Sequence, residues 1–520
     1  MHRILLCLLL VTGPWVVSLA DEADDTTTVT LLFTNDVESA YDPIPAFWLE
    51  DQDMIGGIAE MSTLIESLRE SEPNVFLFDA GDIFTGALAK LTLGRLAFDL
   101  MITMDYDAMA IGNHEFEYGH EIFAWQKNRA PFPVLGANFF YKGTDHPYAQ
   151  AHAIVERNGI RIGVIGIMGQ DAVSAIIPSF IEPLDVTVPS IAVQRSVDEI
   201  KDDVDLIVLL THQGKTAPMQ TDAESDPRLH RGNDADVALA GAVTDVDVVF
   251  GGHTDAGTPE PIIQPQTGTI IMQTYGQATH LGYLQLTIDN DSKAIVAHDG
   301  KLIPVDPAKH APDPRITKQL TEYRDAYPEI REVVGRTEGY MARRYIEESD
   351  VGNLFADAFR QVAETDIAFI HSGSLRKDLP GGDVRLVDLL DTYPFVDDVI
   401  VKTLSGEQIR DALEQSLTLE RGLLQVSGLN VRYDLSRPEG NRLIDVAHNG
   451  VELRNSETYT VAAPGFLAEG GDLYTVFADI PEDRRAGSVK DVALAYLASR
   501  DVAARPERGR QIDVSDSADN

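Results

Sequence analysis

Five times in the first half of the chain, a short apolar run stops at a cluster of Gly, Asp, Asn or His. Thr28 to Phe33 leads into Thr34-Asn35-Asp36-Val37-Glu38, Val75 to Phe78 into Asp79-Ala80-Gly81-Asp82, and Ala108 to Ile111 into Gly112-Asn113-His114-Glu115-Phe116. Val204 to Leu210 ends in Thr211-His212-Gln213-Gly214, and Val246 to Phe250 in Gly251-Gly252-His253-Thr254-Asp255. Apolar runs of this length bounded by turn residues are buried strands, which release polar side chains only at their ends. Helical periodicity lies between them, as in Ile58, Met61, Leu64, Ile65 and Leu68. This alternation predicts an α/β layered domain whose ligand-bearing loops share one edge.

Together the strand ends offer Asp36, Glu38, Asp82, Asn113, His212, His253 and Asp255, with His114 beside them. Seven ligands are too many for one tetrahedral zinc and suit two divalent ions bridged by a carboxylate. Paired ions clamp the attacking and leaving oxygens of an in-line displacement, the usual way to hydrolyse phosphate esters.

At 520 residues the chain exceeds one ordinary core, so two domains are expected. Residues 1–20 read as a secretory signal: Arg3, an apolar segment from Ile4 towards Val17, and the small-residue exit Ser18-Leu19-Ala20. The expected location is therefore exported, periplasmic or extracellular, with no membrane anchor in the mature chain. The single cysteine, Cys7, falls in the leader, so the mature chain has no thiol or disulfide chemistry. The balance of 83 acidic against 42 basic residues argues against a nucleic-acid polymer as partner. It leaves room for a small anionic substrate, since surface charge is screened over about 8 to 10 Å and bound cations reverse the local potential. Oligomeric state is left open.

The metal-ligand domain is expected over 27–301, followed by a Pro/Asp/Lys-rich linker and connector helix over 302–336. A second domain is expected over 337–512, with a polar tail at 513–520. In it, Ser349 or Asp350 caps a helix carrying Phe355, Ala358, Phe359 and Val362. Ile367 to Ile370 reads as a strand followed by His371-Ser372-Gly373-Ser374-Leu375-Arg376, where small residues admit an anion or ring and Arg376 is able to hold phosphate or carboxylate. Tyr393-Pro394-Phe395 and Gly465-Phe466-Leu467-Ala468-Glu469-Gly470-Gly471-Asp472 follow. On local pattern alone, either Phe is a core residue.

The strand-end set, continued by these segments, resembles the secreted 5'-nucleotidase / UDP-sugar hydrolase family over nearly the whole mature chain. The resemblance implies a four-layer α/β-β/α metallophosphatase domain joined to a second α/β substrate-binding domain. It implies that Asp82 bridges two ions, that Asn113, His212 and His253 complete one site, and that Asp36 belongs to the other. Residues 371–376, 393–395 and 465–472 resemble the family's NGGGIR, PF and FLANGGDG motifs. By position, Phe395 and Phe466 would sandwich a nucleobase, Asp472 would bind the ribose hydroxyls and Arg376 the phosphate, with Gly373 and Arg344 completing the substrate set.

Five departures stand out. Glu38 and Asp255 occupy places usually held by His, or by His or Gln, and if both ligate, the site of Asp36, Glu38, Asp82 and Asp255 is oxygen-only and favours Mg, Ca or Mn over Zn. Carboxylates at both positions favour a retuned site. Glu117 replaces the Asp that usually orients the catalytic His, here His114. His371 replaces an Asn, and Arg343 and Arg344 lie out of register with the family's phosphate-binding pair, where Tyr345 and Glu347 stand.

The implied function is an exported metal-dependent phosphohydrolase that releases phosphate from nucleoside 5'-monophosphates or related nucleotides by in-line attack of metal-bound hydroxide. His114, oriented by Glu117, would stabilise the transition state or leaving oxygen. The alternatives are a cyclic-nucleotide, nucleotide-sugar or non-phosphate ester hydrolase on the same fold, or a nucleotide-binding protein without turnover.

Overall fold

The computed structural model describes residues 25–46, 49, 52–214 and 232–515. The leader with Cys7 and the end of the polar tail lie outside them.

Two six-stranded sheets form the first domain. One runs Ile295–Pro304, His280–Asp289, Thr26–Thr34, Val75–Asp79, Ala108–Ala110, Val134–Leu135; the other runs Ile262–Ile263, Ile270–Gln273, Val248–Gly252, Leu206–His212, Ile160–Met168, His152–Arg157. The strands leading to the polar clusters pair in parallel within each sheet, so their C-terminal ends lie together. Leu31, Phe33 and Phe78 of the first sheet meet Val164, Val208 and Phe250 of the second, and Phe33 stacks on Phe250 with ring centroids 4.0 Å apart. The outer faces are covered by helices. Leu32, Leu77 and Met109 pack on Ile58–Ser71 and Arg95–Thr103, and Ile165, Leu209 and Val249 on Pro189–Ile200 and Asp234–Ala242. The central strands of each sheet are thus buried on both faces, which is why they read as unbroken apolar runs. This is the four-layer arrangement.

Strand limits move slightly from the expectation. Leu206–His212 carries His212 as its last residue, held by pairing to Met168 and Gly252. Leu302 and Ile303 pair with Gly282 and Leu281, so the first domain's edge strand runs past residue 301. Val333–Thr337 pairs with Gly382–Arg385 and lies with the second domain. At the C-terminal end, Gln511–Asp513 pairs with Val431, Arg432 and Tyr433.

The connector helix Pro314–Ala326 opens with Pro at its first position, where no amide hydrogen is needed. Asp313 caps it, accepting from Arg315 N and from Ser62 Oγ, both at 2.7 Å, while Ile316 and Leu320 bury against the first domain. The second domain is built on a five-stranded sheet: Leu424–Ser427, Ile367–His371, Thr458–Pro464, Asp398–Ser405 and Arg484–Ser488. Asp350–Val362 and Val489–Ala498 cover one face and Gly406–Ser416 the other. Ser349 is the cap of Asp350–Val362, its Oγ accepting from Gly352 N at 2.9 Å.

Several buried carboxyls have a consequence for stability. Burial pushes Asp79 up to about 8, Asp397 to about 7, and Asp236 and Asp247 to about 6. Each folded value exceeds the unfolded one, so the native state holds protons that the unfolded chain has released; that stability is complete below about pH 4 and is lost as pH rises through 6 to 8. Self-repulsion of a chain with net charge −41 acts in the same direction. At constant salt, the thermal midpoint is expected to fall by several degrees between pH 5.5 and 8.5; a flat or rising midpoint contradicts this.

Candidate active site

The loops after the strands turn sharply enough to aim several carboxylates into one volume. Asp36, Glu38, Asp82, His253 and Asp255 all have positive φ, at 49°, 44°, 61°, 78° and 51°. A left-handed backbone costs such residues of order 1–3 kcal/mol each and persists only where surrounding contacts fix it. Those contacts are present: Asp36 N donates to Gly81 O at 2.9 Å, Glu38 N to Asp82 O at 3.0 Å, and Gln277 N to Asp36 O at 2.6 Å. The loops meet backbone to backbone, so that a Cβ on Gly112 would lie 2.7 Å from Asp82 N.

At the centre, Asp82 Oδ2 is 2.9 Å from His212 Nε2, and Asp82, His212 and His253 each offer a ligand atom within 4.8 Å of the others. Asn113 Oδ1 lies 3.2 Å from His212 Nε2, while His212 Nδ1 faces Ala80 O at 2.8 Å. Asp36 accepts from Asn35 Nδ2 and from His253 N, both at 2.8 Å. Burial raises Asp36 well above the usual carboxylate range, and Asp255 and Asp82 add to the effect. Burial also works against ionised Asp82, but the His212 and His114 charges overcome it and hold the carboxyl low. Burial and the charge of His212 depress His253, whose Nε2 has no hydrogen-bond partner among the described residues. An orphaned imidazole nitrogen beside crowded carboxylates fits a divalent ion, which would take the nitrogen lone pair and relieve the repulsion.

His114 stands beside this cluster. Its Nδ1 is 2.5 Å from Glu117 Oε1, which also accepts from Thr85 Oγ1 at 2.5 Å, and its Nε2 is 3.3 Å from Glu38 Oε1. The second domain closes the site from the other side. Arg376 reaches Glu38 Oε1 at 3.3 Å and lies with Nη2 3.2 Å from His114 Nε2, its guanidinium 5.6 Å from the Phe395 ring centroid. One cavity, partly open to solvent, is lined by Asp36, Glu38, Asp82, Asn113, His114, His253 and Asp255 and by Gly373, Arg376, Phe395, Phe466 and Asp472, whereas His212 is wholly buried behind it. Arg344 is not among its lining residues; its Nη1 donates to Arg343 O at 2.8 Å.

Residues 29–256 match the calcineurin-like phosphoesterase family and residues 333–479 the 5'-nucleotidase C-terminal domain. A 5'-nucleotidase of Vibrio vulnificus is 28% identical over 549 aligned residues, covering 96% of this chain and 93% of that protein. The snake venom 5'-nucleotidase of Naja atra is 28% identical, covering 89% of this chain and 94% of that protein. Among solved structures, a 5'-nucleotidase precursor from Thermus thermophilus matches with a TM-score of 0.79 at 26% identity, covering 93% of this chain and 99% of that one. The chain belongs to the 5'-nucleotidase family of calcineurin-like phosphoesterases. It is a hydrolase of the metallophosphoesterase type, a fold that works with divalent metal ions.

Within this 5'-nucleotidase-like frame, Glu38 lies at the junction of the domains, shared by His114 and Arg376. Asp255 lies beside Asp36, where a Cβ on Gly276 would come within 2.4 Å of its Oδ1. His371 Nδ1 is 3.3 Å from Asp472 Oδ2, pairing two positions that the sequence treats separately.

Other supporting residues escape sequence reading. Glu115, fully buried, accepts from Gly112 N at 2.6 Å, Ile83 N at 2.9 Å and Asp82 N at 3.0 Å, tying two ligand loops together. Burial and the Asp82 charge push it up to about 7 against those bonds. Its place beside Asn113-His114 is the one signal the sequence offers for it. Gln273 braces the last loop, accepting from Thr254 Oγ1 and Ala256 N at 2.6 Å. Asp397 accepts from Phe466 N and Tyr393 OH at 3.1 Å, joining the two aromatic loops. Ala175, Ile176, Ile177 and Phe180 bring an apolar wall from the first domain, and Asp472 N donates to Ser174 O across the boundary at 2.9 Å.

Proposed function

We propose that the chain is an exported, metal-dependent 5'-nucleotidase that hydrolyses nucleoside 5'-monophosphates or related nucleotides to nucleoside and inorganic phosphate. The carrying observation is the cavity that joins the carboxylate–histidine cluster to Arg376, Phe395, Phe466 and Asp472. Asp82, Asn113, His212 and His253 would hold one ion, and Asp36, Glu38, Asp82 and Asp255 the other; the carboxylate-rich set favours Mg, Mn or Ca. Such ions supply Lewis acidity, neutralising charge on the phosphoryl oxygens and lowering the pKa of water.

The chain's own groups do the rest. Phe395 and Phe466 offer π faces to a nucleobase, Asp472 accepts from ribose hydroxyls, and Arg376 donates to the phosphate. His114 Nε2, with Glu117 behind Nδ1, presents a proton to the phosphoryl or leaving oxygen. The domain limits proposed are 27–301 for the phosphoesterase unit, 302–336 for the connector and 337–512 for the substrate unit, with the edge strand of the first unit extending to Pro304. Export rests on the leader-like residues 1–20, and the nucleotide reading is supported by the nucleotidases to which the chain is similar.

The test is phosphate release from AMP by protein stripped with chelator and resupplied separately with Mg, Mn, Ca, Co and Zn. Release restored best by the oxygen-preferring ions is expected. No release with any ion, despite AMP binding, overturns the reading.

A further inference from the structure

Among the described residues, the arginines lining the cavity are Arg376 and Arg421, and Asp36, Glu38, Asp82, Asp255 and Glu420 face the same space. An entering phosphate dianion therefore needs cationic donors as well as ions, and Arg376 already meets Glu38 Oε1 at 3.3 Å. Arg421 comes from the loop 417–423, between the helix Gly406–Ser416 and the strand Leu424–Ser427. The loop is pinned: Arg421 O accepts from His371 Nε2, and Leu423 N donates to Tyr345 O at 2.7 Å. The guanidinium reaches across the domain boundary, donating from Nη2 to Ser174 Oγ at 3.0 Å, with Nε 3.7 Å from Asp472 Oδ1.

Arg421 lines the same cavity as His253 and Asp255 of the first domain and His371 and Asp472 of the second.

We propose that Arg421 is the second cation of the phosphate site, donating with Arg376 to the phosphoryl oxygens of the bound nucleotide. The proposal rests on the nucleotide reading above. A guanidinium fork matches the phosphate edge in a way an ammonium does not, so Arg421→Lys recovers only part of the interaction. A role limited to bracing Ser174 and Asp472 predicts a different pattern, with the nucleoside end suffering equally.

The test uses the full metal-loaded protein and separate calorimetric titrations with inorganic phosphate and with adenosine, alongside KM for AMP. Arg421→Ala is expected to weaken inorganic phosphate and raise KM for AMP by about tenfold or more, the loss of a charge-assisted hydrogen bond. Adenosine affinity should stay unchanged, which also reports an intact fold, and Arg421→Lys should fall between. Unchanged phosphate affinity, or equal weakening of phosphate and adenosine, overturns the proposal. If the wild-type protein releases no phosphate from AMP, the nucleotidase reading falls by itself and the phosphate titration still decides the role of Arg421.

Discussion

His114→Ala is expected to lower kcat for AMP by about 10²- to 10⁴-fold while leaving the metal content of the purified protein unchanged. The imidazole is fixed at both ends, by Glu117 Oε1 at 2.5 Å behind Nδ1 and by Glu38 Oε1 at 3.3 Å before Nε2. Burial opposes its charge, but Asp82, the Glu117 hydrogen bond and Glu38 overcome that and lift it to about 9. An imidazolium held beside the phosphoryl site needs no reorganisation as negative charge develops there. The metal content should survive because the histidines clustered with Asp82 are His212 and His253, and His114 contributes its main-chain N to Asp82 Oδ1 at 2.7 Å, which alanine retains. Glu117→Gln should fall between wild type and His114→Ala, since it keeps a hydrogen-bonding arm and loses the charge. Steady-state kinetics with elemental analysis check both. Loss of metal from His114→Ala would move the imidazole into the ligand set, and an unchanged kcat would remove it from the chemistry.

The residues that sequence reading found share a physical property: each stands where a buried strand ends. Asp36, Asp82, Asn113, His212 and His253 follow or finish strands whose two faces are filled, so their polarity breaks the pattern within a few residues. In the second domain Arg376 stands out locally beside small residues, but Phe395, Phe466 and Asp472 are legible only through the family resemblance, because neither Phe has a local feature that separates a stacking ring from a core ring. Contacts between distant segments are illegible from local pattern: Glu38 meets Arg376 across a sequence separation of 338 residues. Arg421 belongs to a short loop with no motif, and its direction is set by Ser174 and Asp472, which lie far from it in sequence. The last edge of the first domain is hard to read for a similar reason. Ile295–Pro304 is a largely solvent-facing edge strand whose last residues, 302–304, read as linker until pairing with His280–Asp289 is known.

Asp82→Asn is expected to abolish measurable turnover of AMP and to remove at least one divalent ion per chain, with adenosine binding retained. The carboxylate serves three groups at once: Oδ2 faces His212 Nε2 at 2.9 Å and His114 Nε2 at 3.8 Å, while Oδ1 accepts the His114 amide. Burial opposes protonation of His212, but the Asp82 charge overcomes it and lifts His212 to about 10, so an ion entering between them must displace that proton. Asparagine keeps the size and one acceptor but removes the charge that draws in both the ion and the imidazolium of His114. His212 then becomes neutral, with Nδ1 still bonded to Ala80 O at 2.8 Å, and no buried charge is stranded. Asp472, Phe395 and Phe466 lie on the second domain, held by Asp397 and His371 rather than by Asp82. A variant without ions that still binds adenosine would separate the two halves of the site. Normal metal content with normal turnover would show instead that Asp82 bridges nothing, and the two-ion arrangement would fall with it.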